Sequence, residues 1–122
     1  MNISTITENE INIAIVSSDE NLITDAQSAL DLIMSVEYET NSNRIVINKD
    51  NICEEFFILS SGIAGEILQK FVNYGFKIAI YGDYSKYTSK PLKDFIYESN
   101  LGQNIFFVNT KNEAIERLKS IS

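Results

Sequence analysis

The residues best suited to chemistry form a polar loop after the apolar segment Phe76–Tyr81. Asp83 follows that segment and precedes seven residues rich in hydroxyl and ammonium donors, namely Tyr84, Ser85, Lys86, Tyr87, Thr88, Ser89 and Lys90. Ligands of open α/β sheets bind at the carboxyl ends of parallel strands, where this loop would lie. The loop could therefore hold an anion or a peptide, and Asp83, Glu54 and Glu55 are candidate acids for carboxylate catalysis or magnesium binding. The alternative is a solvated loop in which tyrosines cover the sheet edge and Ser89 caps a helix.

A second candidate site is the turn Ser60-Ser61-Gly62, which precedes the most clearly amphipathic helix of the sequence. A helix N-terminus carries about half a positive charge and unpaired N–H groups, so an anion is favoured there. A phosphate on Ser61 would be tolerated, and it would add about −1.5 to −2 charges at an exposed position. The alternative is that Ser60 or Ser61 only caps the helix and stabilises it by about 1 kcal/mol.

Several catalytic and metal-binding chemistries lack their residues in this sequence. It has no histidine, which removes the usual general base near neutral pH and the Ser-His and Cys-His pairs. Cys53 is the single cysteine, so zinc and iron-sulfur sites lack ligands, and we expect it to be a small buried residue. Neither a Walker-type loop nor a GxGxxG motif is present. These absences favour recognition over catalysis, and we expect no cofactor and no metal.

The composition predicts one acidic, soluble domain over residues 1–122. Of these residues 44% are hydrophobic, and ten basic against 17 acidic side chains give a net charge of −7. This balance opposes binding to nucleic acid or to anionic membranes. The apolar runs are far shorter than the about 20 residues of a membrane-spanning helix. With no secretory signal pattern and no cysteine pair, we expect a cytoplasmic protein.

Strand and helix patterns alternate along the chain. Two short β-branched segments, Ile3–Thr7 and Ile11–Val16, predict a pair of strands joined by a tight turn. Thr24 and Gln27 resemble a capping box at the start of a helix that runs to about Tyr38. The later predicted segments are a strand at Arg44–Asn48, a polar loop at Lys49–Glu55, a helix from Ile63 to a cap at Gly75, a strand at Phe76–Tyr81, a helix between Ser89 and Gly102, a strand at Ile105–Val108 and a helix at Asn112–Ile121. This order predicts an α/β fold with a mostly parallel central sheet of about five strands and helices packed on it.

Three blocks of the sequence resemble the signature of an uncharacterised bacterial family, domain of unknown function 4180. They are the stretch FFILSSGIAGEILQKF at Phe56–Phe71, the loop Gly82–Lys90, and the segment Asp94–Asn100. A weaker block lies at Ala29–Ile33. The similarity covers nearly the whole chain, and it implies no activity because the family has none assigned.

More distantly, the region from Arg44 to Leu118 is similar to the STAS domain of sulfate transporters and anti-sigma-factor antagonists. In that family a strand leads to an Asp-Ser-Ser-Gly turn, and Ser61 matches the serine that kinases phosphorylate in the antagonists. Leu59 stands where those proteins carry aspartate. The resemblance implies a STAS-like fold, a protein partner and Ser61 as a phosphorylation site.

Three functions are open on the sequence alone. The first, which we favour, is a non-catalytic module that binds a protein partner through the turn at residues 60–62 and the loop Tyr84–Lys90. The second is a small-molecule or anion binder, or an enzyme, with Asp83, Lys86 and Lys90 around a polar pocket. The third is a homo-oligomer whose interface contains exposed tyrosines, namely Tyr84, Tyr87 and Tyr97.

Overall fold

The five strands of the sheet lie side by side in chain order. The computed structural model describes residues 1–121. The strands are β1 (Asn2–Glu8), β2 (Ile11–Ser17), β3 (Arg44–Asn48), β4 (Lys77–Tyr81) and β5 (Ile105–Val108), and the helices are α1 (Ala26–Thr40), α2 (Ile63–Asn73), α3 (Lys90–Leu101) and α4 (Lys111–Ser120). β1 pairs antiparallel with β2, whereas all later neighbours pair in parallel. The predicted α/β class and the mostly parallel sheet of about five strands are confirmed.

Helices α1, α2 and α3 cover one face of the sheet, and α4 covers the other. A right-handed crossover between neighbouring parallel strands places its helix on a face fixed by the direction in which the sheet grows. Here the sheet always grows in the same direction, so all three crossover helices share one face. The second face is closed by three residues of α4 that pack against the sheet: Ala114, Ile115 and Leu118.

The central strands are apolar at consecutive positions because both faces are covered. In β3, Ile45 and Ile47 face α1–α3, whereas Val46 between them faces α4. β4 repeats this pattern, and its Ala79 is buried on the α4 face. The pattern explains why the strands had to be recognised as short apolar runs rather than by alternation.

The turn between β1 and β2 carries backbone strain. Asn9 and Glu10 both have positive φ, at 54° and 68°, which is the requirement of a two-residue type I′ turn. Glutamate is strained there, since the left-handed region costs a residue with a Cβ about 1–2 kcal/mol. We expect Glu10→Gly to raise the free energy of unfolding by about 0.5–1 kcal/mol, the gain being reduced by the greater freedom of glycine in the unfolded chain. Urea unfolding followed by circular dichroism measures this, and an unchanged or lower midpoint would contradict it.

Helix α1 begins with a capping box one residue beyond the predicted one. The Asp25 carboxylate accepts a hydrogen bond from the Ser28 N–H at 2.8 Å, and the Ser28 hydroxyl oxygen accepts from the Asp25 N–H at 3.1 Å. The expected pairing of Thr24 with Gln27 is therefore wrong, and Gln27 instead donates to Asp31 along the helix. Aspartate and threonine are both good caps, so the spacing alone did not decide between two adjacent registers.

The segment between β3 and α2 is more ordered and more buried than the predicted polar loop. It forms three short 3-10 helices, at Lys49–Asn51, Glu54–Phe57 and Leu59–Ser61. Asn51 is 4% exposed because its side-chain amide donates to the carbonyls of Ser18 and Glu20 at 2.7 and 2.8 Å. The strand that the STAS resemblance implies directly before the serine turn is absent from this part of the structure.

None of the helices described within residues 1–121 combines the length and apolar character needed to cross a lipid bilayer.

Candidate functional site

A buried lysine lies at the carboxyl ends of the two central strands. Lys49 follows β3, and its side chain is 9% exposed. Its aliphatic stem packs on Gly82 directly after β4, so closely that a Cβ at Gly82 would lie 2.7 Å from the Lys49 Cγ. The ammonium pairs with Asp50 at 3.2 Å and lies 5.5 Å from the centre of the Tyr87 ring. Lys49 thus joins the ends of β3 and β4 to the loop after β4.

Next to this lysine, Glu54 joins the segment before α2 to the loop after β4. Its carboxylate accepts from the Lys86 ammonium at 2.9 Å and from the Tyr87 hydroxyl at 3.1 Å. The Lys86 hydrogen bond, with a smaller effect of Tyr87, lowers the pKa of Glu54, whereas burial and the same carboxylate raise the pKa of Tyr87. At neutral pH the three groups therefore form a charged lysine–carboxylate pair with a neutral phenol donor.

The pKa of the Glu54 carboxyl reports whether this network forms in solution. We expect NMR titration to place its pKa below the usual range, and Lys86→Met to raise it because the principal donor is lost. The lowered pKa means that the pair contributes stability at pH values above the usual glutamate pKa, and that the contribution is lost as pH falls through the lowered pKa. An equal pKa in both proteins would show that Lys86 does not hold the carboxylate in solution.

Below this network lies an aromatic cluster that joins four parts of the chain. Its members are Phe56, Phe57, Tyr84, Tyr87, Phe95 and Phe107. Phe57 stacks on Tyr87 with ring centroids 5.0 Å apart, and Tyr84 meets Phe107 edge to face at 6.0 Å. The Tyr84 hydroxyl donates to the Ile80 carbonyl at 2.7 Å, and burial raises the pKa of this phenol.

The expectation of an interface of exposed tyrosines is therefore wrong for two of its three residues. Tyr84 and Tyr87 are only partly exposed, because their rings pack in the aromatic cluster, whereas Tyr97 on α3 is 66% exposed. In the loop after β4 the tyrosines anchor the backbone to the sheet. The polar side chains of the same loop form its outer surface.

A groove of about 410 Å³ separates the serine turn from the loop after β4. One wall is the segment Phe57–Ser60, and the other is formed by Lys86–Ser89 with Pro91 and Leu92. Ile58 is 54% exposed and contributes an aliphatic surface to this groove. The two segments singled out by the sequence thus face each other across a mostly apolar cleft.

The serine turn is built differently from a simple cap. Gly62, with φ of 78°, occupies the N-cap position of α2 and offers no side-chain acceptor. The Ser61 hydroxyl donates to the Glu55 carbonyl at 2.9 Å and accepts from the Ile63 N–H at 3.2 Å. Ser60 lines the groove, whereas Ser61 ties its wall together.

The polar residues of the loop after β4 engage separate partners. Asp83 accepts from the Ser85 N–H at 2.9 Å, and this hydrogen bond lowers the pKa of the carboxyl. Lys86 pairs with Glu54, and Lys90 pairs with Asp94 at 2.6 Å within α3. Among residues 1–121, no three His, Cys, Asp or Glu side chains form a group that could hold a metal ion.

Sequence reasoning missed Lys49 and the aromatic cluster. Lys49 was part of a segment predicted to be a polar loop, and only Gly82, a glycine directly after a strand, signalled that another chain segment approaches closely there. Nothing in the local sequence shows that Phe57 meets Tyr84 and Tyr87, about 30 residues later.

The comparisons with known proteins find one family and a structural neighbour. The model of a domain of unknown function (DUF4180) matches residues 8–118. A solved structure described as a "putative anti-sigma factor antagonist" from Thermotoga maritima is similar to this chain, with 15% sequence identity, a TM-score of 0.46, and coverage of 96% of this chain and 94% of that chain. No curated protein matches.

The family match runs from Glu8 at the end of β1 to Leu118 in α4. It therefore includes every residue of the groove and of the aromatic cluster. The resemblance to this family inferred from the sequence is confirmed. The chain belongs to the family defined by the domain of unknown function 4180.

Proposed function

We propose that this protein is a non-catalytic interaction module that binds a segment of a partner protein in the groove between Phe57–Ser60 and the wall formed by Lys86–Ser89, Pro91 and Leu92. The observation that carries the proposal is the groove itself, which has an exposed aliphatic residue in one wall and a lysine in the other. The polar alternative has less support, because Asp83 and Lys90 engage their own neighbours and do not line the groove. The proposal includes a bacterial cytoplasmic location, which a single buried cysteine, Cys53, supports.

The chemistry of the groove favours an acidic segment with an apolar anchor. The chain as a whole carries a net charge of −7, and the stretch Tyr84–Lys93 contains three lysines, of which Lys86 pairs with Glu54 and Lys90 pairs with Asp94. Lys86 lines the groove, and its side chain remains 57% exposed although it pairs with Glu54. A partner carboxylate would meet Lys86 at the rim, while an aliphatic or aromatic side chain would cover Ile58.

Peptide display on the purified protein tests this proposal without knowledge of the partner. We expect selection from a random peptide library to enrich sequences that combine an aliphatic or aromatic anchor with flanking aspartate or glutamate. A selected peptide should bind Ile58→Asp and Lys86→Glu at least tenfold more weakly than wild type. Ile58→Asp removes the apolar contact with the anchor, and Lys86→Glu repels the acidic residue of the peptide.

Two variants on other surfaces serve as controls. Tyr38 on α1 is 91% exposed, and Lys111 begins α4 on the opposite side of the sheet. Tyr38→Asp and Lys111→Glu introduce the same acidic residues away from the groove, so they should bind the peptide like wild type. Equal binding by all four variants, or enrichment of basic peptides, would refute the proposed site.

We also propose that phosphorylation of Ser61 regulates partner binding by changing the groove wall formed by Phe57–Ser60. The Ser61 hydroxyl hydrogen is donated to the Glu55 carbonyl, and the segment between these residues contains Phe57, Ile58 and Leu59. A phosphate has no such hydrogen to donate once it is fully ionised, and the N-terminal N–H groups of α2 favour its charge. The modification would therefore release the wall from Glu55 and place negative charge beside a groove that prefers acidic partners.

Three serine variants separate charge from the lost hydrogen bond. We expect Ser61→Glu to weaken binding of the selected peptide about tenfold, because it removes the bond to Glu55 and adds repulsion. Ser61→Ala removes only the bond and should have a smaller effect, whereas Ser60→Ala keeps the wall tied and should bind nearly as wild type. Titration calorimetry measures all three. Equal affinity of Ser61→Glu and wild type would remove the switch and leave the groove proposal intact.

A further inference from the structure

The two edges of the sheet are protected very differently. β1 is an edge strand of seven residues that pairs with β2 in unbroken register, without a bulge. It contains no proline and no lysine, and its only charged residue, Glu8, lies at its end. Bulges, prolines and lysines are devices that usually prevent an exposed edge from pairing with another strand, and β1 has none of them. β1 therefore presents an open, regular edge.

The opposite edge is short and closed by a side chain. β5 has four residues, and the Asn100 amide of α3 bonds both backbone groups of Phe107. Its Nδ2 donates to the Phe107 carbonyl at 3.0 Å, and its Oδ1 accepts from the Phe107 N–H at 2.8 Å. Asn100 thus occupies the position that a neighbouring strand would take. No side chain of residues 1–121 closes the edge of β1 in this way.

The hairpin determines which groups of β1 face outward. In a hairpin closed by a two-residue turn, the residues flanking the turn form a hydrogen-bonded pair, which here is Glu8 with Ile11. Even-numbered residues of β1 consequently direct their backbone groups toward β2. Ile3, Thr5 and Thr7 direct theirs away from the sheet, where they form an unpaired row of donors and acceptors.

We propose that β1 pairs antiparallel with β1 of a second copy of this chain, about a two-fold axis through Thr5. In this register Thr5 faces Thr5 of the other copy, and Ile3 faces Thr7. Each such hydrogen-bonded pair exchanges two bonds, so the outward rows form about six intermolecular hydrogen bonds. The β-branched pairs Thr5–Thr5 and Ile3–Thr7 are favourable neighbours across strands.

The charges of β1 suit a second copy. Residues 2–7 carry no charged side chain, so the pairing brings no like charges face to face although each chain has a net charge of −7. Glu8 at the end of the strand is already held by the Lys119 ammonium at 2.6 Å, and across the axis it faces the uncharged Asn2. The dimer would join two sheets edge to edge and leave only the β5 edges, which Asn100 closes.

Sedimentation velocity over a range of concentrations tests the dimer. We expect wild type to show a concentration-dependent dimer, and Thr5→Pro to be monomeric or to dimerise at least tenfold more weakly. Proline at this position removes an outward N–H and spares the bonds to β2, so circular dichroism and the melting temperature should report a folded protein. A wild type that stays monomeric throughout, or a dimer that Thr5→Pro leaves unchanged, would overturn the proposal.

Cysteine cross-linking tests the register. In the proposed pair the two Thr5 Cα atoms are about 5.5 Å apart, within the range that a disulfide spans. Thr5→Cys should therefore form a covalent dimer on mild oxidation, whereas Ser4→Cys, whose copies lie diagonally across the axis, should not. The native Cys53 is buried and serves as the background in both proteins. Equal cross-linking of the two variants would show a contact of another geometry.

Discussion

Replacing Phe107 by alanine is expected to lower the free energy of unfolding by about 3–5 kcal/mol. The ring is 4% exposed and has Phe56, Tyr84 and Phe95 within 6.3 Å between centroids. Its removal leaves a cavity where β5, α3 and the loop after β4 meet, and the rigid neighbours cannot fill it completely. Urea unfolding gives the change in stability. The same variant should lose affinity for a groove-binding peptide, because Tyr84 loses its contact with Phe107 and Tyr87 packs on Tyr84.

Two further variants show whether burial is the cause. Phe107→Leu retains most of the apolar volume and should cost about 1–2 kcal/mol. Tyr97→Ala removes an aromatic ring that is 66% exposed, and it should change stability by no more than about 0.5 kcal/mol. A loss for Tyr97→Ala as large as that for Phe107→Ala would place the important aromatic packing elsewhere, for example at an interface between copies.

Gly82→Ala is expected to destabilise the protein by about 2–4 kcal/mol. The residue has φ of 154°, a conformation that is strained for any side chain with a Cβ. The added methyl would also lie 2.7 Å from the Lys49 Cγ, so the buried lysine must move out of its position above β4. We expect thermal unfolding to shift to lower temperature and the contact of Lys49 with the Tyr87 ring to be lost.

Gly65 provides the matched control for this substitution. It lies in the first turns of α2, is exposed, and a Cβ there would meet nothing within 4 Å. Gly65→Ala should therefore stabilise the protein by about 0.5–1 kcal/mol. Shortening Lys49 to alanine together with Gly82→Ala should recover part of the loss, since the clash is with the lysine stem. A double variant as unstable as the sum of the single ones would refute the proposed clash.

The fold was predictable because its determinants are local. The spacing of Ile63, Ala64, Ile67, Leu68 and Phe71 identified α2, and the apolar runs identified β3 and β5 with their observed bounds. Gly75, with φ of 72°, follows α2 as expected, and Ser89 caps α3 as expected. Each of these signals is contained within one turn or one strand, so chain topology was not needed to interpret it.

The candidate site was predictable only as two separate segments. Nothing in the sequence around Asn51 shows that its amide will bind two carbonyls more than 30 residues earlier, so the polar segment was not expected to be buried. The tyrosines after β4 were expected either to cover the sheet edge or to lie exposed at an interface, because tyrosine is common both in cores and at interfaces. Burial of polar and amphipathic side chains depends on contacts between distant segments, and composition does not encode those contacts.

The position of α4 has a consequence for synthesis of the chain. Val46, Ala79 and Phe106 are covered on their face of the sheet by α4, the last helix in the described chain. While the polypeptide is still being translated, the strands can associate with α1–α3, but that apolar surface stays open until the residues of α4 leave the ribosome. Where the chain folds during translation, we therefore expect a stage in which the α4 face of its sheet is bare, and in which chaperone binding or association with another nascent chain competes with closure.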